Sequence, residues 1–182
     1  MTNRRLLFVL FVLFLAATLW TGGLLQTHGK PLVRHPACHG IGTLELTAFP
    51  SAARQIVERW SGDRDKSGRS LNLLAIEDIH WDYGFIILYV AAFALAGLVG
   101  RFLLDDWLAS KGAALARAMI LAGILDYLED FGMTMELNTR YGIAPAVFTV
   151  SLVKWIIVFC GIAYASAVIL ALPWRWRRLL LR

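Results

Sequence analysis

The sequence is poor in charge: Asp, Glu, Lys and Arg make up 17% of its 182 residues, against about 25% in a typical soluble domain. The deficit is uneven. Long stretches hold almost no charge, whereas residues 26–77 are polar. That contrast excludes an ordinary soluble domain and implies membrane spans joined by aqueous segments within one membrane domain, 1–182. Cysteine is also scarce. Cys38 and Cys160 form no CxxC pair, which excludes a four-helix, quinone-linked disulfide catalyst. The GxSxG elbow, the HExxH helix and the phosphate-binding glycine loop are missing from the sequence. So are the paired ExxH motifs of a di-iron bundle. No zinc-finger or RNA-binding motif accompanies the net charge of +5. Arg4, Arg5, Arg175, Arg177, Arg178 and Arg182 instead flank apolar runs, where they suit anionic headgroups. Nucleic acid is not an expected partner.

What the sequence does have is hydrophobic residues, 58% of the chain. Four runs are long enough to cross a bilayer: approximately 6–25, 83–104, 113–135 and 147–172. The expected fold is all-α, an integral membrane four-helix bundle. The first run follows Arg4-Arg5 like a signal peptide, yet it exceeds the usual hydrophobic core of one, so a retained span is expected over a cleaved one. In the second run Ala92, Ala96 and Gly100 recur every four residues, and in the third Ala114, Ala118 and Ala122 do. Such stripes permit close helix approach. The fourth run would be about 39 Å long at 1.5 Å per residue, so it should tilt or protrude. Pro145 suits its first turn, and Trp174 and Trp176 suit an interface.

Positive charge favours both termini on the cytoplasmic side. In a bacterium this means a multi-pass inner-membrane protein with residues 26–80 as an extracytoplasmic cap. Within that cap, 44–60 has helical periodicity. Phe49, Ala52, Ala53, Ile56, Val57 and Trp60 share one face, which predicts an amphipathic helix lying on lipid or on the bundle. Residues 61–70 read as an exposed loop, and the second helix is expected to begin near Asn72, ahead of the span.

The same topology gathers unusual polar residues at one end of the spans. His80 and Asp82 begin the second, Asp126, Glu129 and Asp130 end the third, and Lys154 lies about two turns into the fourth. Glu45 of the cap can join them. Hydrocarbon forces such groups to pair, change protonation or face water. Lys154 is expected to pair with Asp126 first and Glu129 second. Glu45, Asp82, Tyr89, Asp126, Glu129 and Lys154 are the candidate ligand-binding residues, and Asp82, Asp126 and Glu129 the candidate catalytic ones. The structural alternatives are a helix-locking pair for Asp126 and Lys154, a helix-end or interfacial place for Asp82, headgroup water for Asp130, an interfacial place for His80, and a cap or anchor of the surface helix for Glu45. A divalent cation among the acids is one implied cofactor. His35, Cys38, His39 and His80 offer a second, weaker metal set that matches no zinc spacing.

Four phrases carry a resemblance: 40–46 (GIGTLEL), 56–60 (IVERW), 82–89 (DYGFIILY) and 122–130 (AGILDYLED). With them the chain resembles a group of small bacterial four-helix membrane proteins. The resemblance implies the four-span topology and points to Glu45, Asp82, Asp126 and Glu129; it brings no activity with it. Where the group has Asn after the acidic pair, this chain has Asp130.

Three functions fit these residues. The first is lipid-binding in the broad sense, or cation binding: a small amphiphile or cation held in an outer-leaflet polar pocket, with transport as an extension. Membrane lipids, a second copy or another membrane protein would then be partners. The second is an enzyme acting on a lipid or isoprenoid substrate, and the third a structural or accessory subunit of a membrane complex.

Overall fold

A computed structural model describes residues 2–33, 40–139 and 142–180, with side chains from Arg4 to Arg175. The chain is all-α. In order come α1 (Thr2–His28), α2 (Lys30–Val33), α3 (Ile41–Glu45), α4 (Pro50–Gly62), α5 (Leu71–Leu103), α6 (Asp106–Leu137) and α7 (Ala144–Leu180). Four of them are long and apolar enough to cross a membrane: Arg4–His28, Leu71–Leu103, Asp106–Leu137 and Ala144–Arg175. The protein is a multi-span membrane protein.

The three later spans outrun the apolar runs that announce them. α5 has 33 residues, about 50 Å at 1.5 Å per residue against a hydrocarbon core of about 30 Å. It begins at Leu71, close to the expected Asn72, and α6 continues to Leu137. Hydropathy marks only the stretch a bilayer would cover, and these helices continue past it.

The periodic segment 44–60 is broken in two. α3 ends at Glu45 and α4 starts at Pro50, with Phe49 extended between them (φ −103°, ψ 122°). Proline disfavours helical backbone in the residue before it, and itself fits a first helical turn. α4 buries Ala53, Ile56, Val57 and Trp60 against Leu44, Leu71, Leu74, Ala75, Ile79, Met133, Leu137 and Val147. Its apolar face therefore lies on protein. Phe49, expected on that face, is 72% exposed.

Two compact units make up the chain. The first comprises Met1–Trp20, Ile86–Ile124 and Lys154–Arg182. Here α5 and α6 meet backbone to backbone. A Cβ on Gly97 would strike the Gly112 carbonyl oxygen at 2.5 Å, and one on Gly112 would strike that of Gly97. Tyr164 fills the neighbouring space at Gly100 and donates its hydroxyl to the Leu108 carbonyl at 3.1 Å. Arg175 donates to the Leu103 carbonyl at 2.9 Å and pairs with Asp105, which closes the end of α5. Ala92 and Ala96 are fully buried, as their stripe implies. The stripe on α6 is displaced. Ala114 is exposed; Ala122 of the stripe is buried, and Gly112 and Gly123 make the close approaches to α5.

The second unit comprises Thr21–Phe85 and Leu125–Val153. It holds α2, α3, α4, the end of α1 and the adjoining turns of α5, α6 and α7. One core joins α4 to these helices. Between α4 and α5, Asp65 organises the connecting loop, accepting from the Ser67 hydroxyl at 2.6 Å and from the Ser67 and Arg69 N–H groups at 2.8 Å. The Ser67 hydroxyl and the Arg69 N–H hold the Asp65 carboxyl at about 2, below its ordinary 3.8.

Candidate metal centre

In the second unit α6 reverses the water-soluble pattern. Asp126, Glu129, Asp130, Met133, Glu136 and Leu137 are buried, while Leu128 and Phe131 are 56% and 61% exposed. A helix in water would turn its acids outward. Here the apolar side chains look out and the acids look in, the arrangement demanded when hydrocarbon lies outside.

Spacing builds the site. Asp126 and Asp130 lie one helical turn apart on α6 and project in the same direction. Asp82 meets them from α5. One carboxylate oxygen from each lies within 4.8 Å of the other two. Asp126 and Asp130 are 5% and 1% exposed and Asp82 is half-buried. The adjoining residues hold the two helices in register. Tyr127 donates its hydroxyl to the Tyr83 carbonyl at 3.0 Å, and the two rings stack 5.3 Å apart at 17°.

Three carboxylates this close, mostly out of water, repel one another strongly if all are ionised. A proton or a cation offsets that repulsion. All three donors are hard oxygens, the type preferred by Mg2+, Ca2+ and Mn2+ over softer metals. The cluster can coordinate a metal ion.

The other residues singled out in the sequence fall in different places. Glu129 is 1% exposed on the buried face of α6, outside the three-oxygen group. Glu45 is 8% exposed at the end of α3, with its Oε2 3.9 Å from where a Cβ on Gly42 would stand. It too lies outside that group. Tyr89 and Lys154 are buried in the first unit; the Tyr89 ring packs 6.1 Å from Phe93, and Lys154 Nζ lies 5.1 Å from the Trp155 ring centroid. His80 is exposed, its ring 6.2 Å from that of Tyr83. His35, Cys38 and His39 lie outside the described residues.

Asp130 is 1% exposed, so its side chain does not face headgroup water. Asp78, Glu136 and Ser151 are buried polar residues that the hydropathy pattern does not single out. For the two acids, spacing was the signal. Asp78 precedes Asp82 by four residues and Glu136 follows Glu129 by seven, which keeps each near the face of its partner. Glu136 joins α6 to α7, because its Oε1 accepts the Ile143 N–H at 2.9 Å at the start of α7. The chain matches no protein-family model, no curated protein and no solved structure.

Proposed function

We propose that this membrane protein binds a hard divalent cation through Asp82, Asp126 and Asp130. The convergence of three carboxylate oxygens within 4.8 Å carries the reading. Burial supports it, because two of these acids have left water on a helix whose neighbouring turns expose Leu128 and Phe131. The exposed Trp81, next to Asp82, and Tyr127, next to Asp126, add amphipathic aromatic surface. An amphiphile lying along these turns would bring its headgroup to the half-buried Asp82 and its chain to the apolar surface. The cation is then the polar anchor for a lipid-like ligand.

The distribution of arginine supports both termini in the cytoplasm, with the second unit's short helices outside. In a bacterium the membrane is the inner one.

Metal analysis of the detergent-purified full chain tests the reading. After chelator treatment, reloading with Mn2+ and desalting, the wild type should retain about one ion per chain. D126N and D130N should each retain far less, with unchanged helical content. Equal retention by the wild type and both variants would place the ion elsewhere.

A further inference from the structure

We infer that Ser151 belongs to the same cation site, as a neutral oxygen facing the acids from α7. The inference rests on the reading of Asp82, Asp126 and Asp130 as cation ligands. Ser151 is 0% exposed, and its hydroxyl makes no hydrogen bond among the described residues. A hydroxyl on a helix has a ready local acceptor in the carbonyl four residues back. Thr149 uses it, donating to Pro145 at 2.8 Å, and Ser166 donates to Ile162 at the same distance. Ser151 stands apart from that pattern.

The packing of α6 on α7 fixes where Ser151 faces. A Cβ on Gly132 would lie 2.5 Å from Val147 Cγ2 and 3.9 Å from Ile143 Cδ1. Gly132 therefore sits opposite Val147, and the Glu136 contact with Ile143 one turn away gives the antiparallel direction. Ser151 follows Val147 by one turn on the same face of α7. Glu129 precedes Gly132 by nearly one turn on α6. Ser151 thus faces the turn of α6 that carries Glu129, flanked in sequence by Asp126 and Asp130.

That position suits an ion held by three carboxylates. One oxygen from each leaves a hard divalent cation short of the six to eight oxygens it takes. A hydroxyl supplies an oxygen without charge, either to the ion or to a water the ion keeps. Removing an outer partner of this kind typically costs about tenfold or more in metal affinity. Without a metal, S151A removes only a buried hydroxyl that has no protein partner, which leaves stability unchanged or raised.

The test is a Mn2+ titration followed by electron paramagnetic resonance, on the full chain in detergent, for wild type, S151A, D126N and D130N. S151A should bind Mn2+ about tenfold more weakly, with a metal-free melting temperature no lower than wild type. D126N and D130N should lose binding. If S151A binds as tightly as wild type while the aspartate variants fail, Ser151 is no part of the site and the three-aspartate reading stands. If the wild type binds no Mn2+, both readings fall.

Discussion

The hydroxyl of Tyr127 reaches across from α6 to the backbone carbonyl of Tyr83 on α5 at 3.0 Å, with the two rings stacked. Each tyrosine follows an aspartate of the cluster, Asp126 and Asp82. The contact therefore sets the distance between carboxylates on different helices. Y127F should lose the hydrogen bond and keep the stack, at a cost of about 1 kcal/mol. Thermal melting in detergent measures it. Y127A removes the stack as well and should cost more.

Gly97 and Gly112 allow α5 and α6 to touch through their backbones. A side chain at either position has no space, because the obstacle is a carbonyl oxygen and not a flexible side chain. G97V should destabilise by about 1–3 kcal/mol or prevent folding, as overpacking does. G84A, at a glycine with nothing within 4 Å of an added Cβ, is the control. Its melting temperature should match or exceed wild type, since alanine is the better helix former.

Glu136 caps the start of α7 by accepting the Ile143 N–H, and is 1% exposed. E136A leaves that donor without its acceptor and opens space in the core, and should cost about 1–3 kcal/mol. E136Q keeps a carbonyl oxygen in place and should cost less. The difference between the two melting temperatures reports the cap itself.

The loop between α4 and α5 should respond to acid. Asp65 has its carboxyl at about 2 in the folded chain, below the ordinary 3.8, chiefly through the Ser67 hydroxyl and the Arg69 N–H. A depressed value favours the folded loop above 3.8, and that contribution fades as pH falls through about 2. Hydrogen exchange at the Ser67 and Arg69 amides should therefore keep its protection at pH 5 and lose it progressively below about 4. D65N should show little such dependence.

Much of the architecture was legible in the sequence because hydrocarbon imposes a simple rule. The runs 83–104, 113–135 and 147–172 each lie almost wholly within one helix of the structure. Their extra turns were harder to read, since the start of α5 and the end of α6 are buried in the core around Trp60 and Leu137. Pro50 interrupts a segment whose apolar spacing alone reads as continuous. At the site, Asp82 and Asp126 were readable as charges at the end of apolar runs. Asp130 was less so, because a charge one turn nearer the helix end is equally at home in headgroup water. Only the meeting of α5 and α6 shows it turned inward. Ser151 carries no charge, and hydropathy gives a lone serine in a span no weight.

If Asp82, Asp126 and Asp130 together hold a cation, the metal-stripped protein must gain stability when a divalent ion is added back. At an ion concentration one hundred times the dissociation constant, binding to the folded state alone adds about 2.7 kcal/mol. The wild type should therefore melt several degrees higher in Mn2+, Mg2+ or Ca2+ than in chelator, and D130N should show no such rise. A wild-type melting temperature indifferent to all three ions, at every concentration tried, would mean that the three aspartates hold no ion.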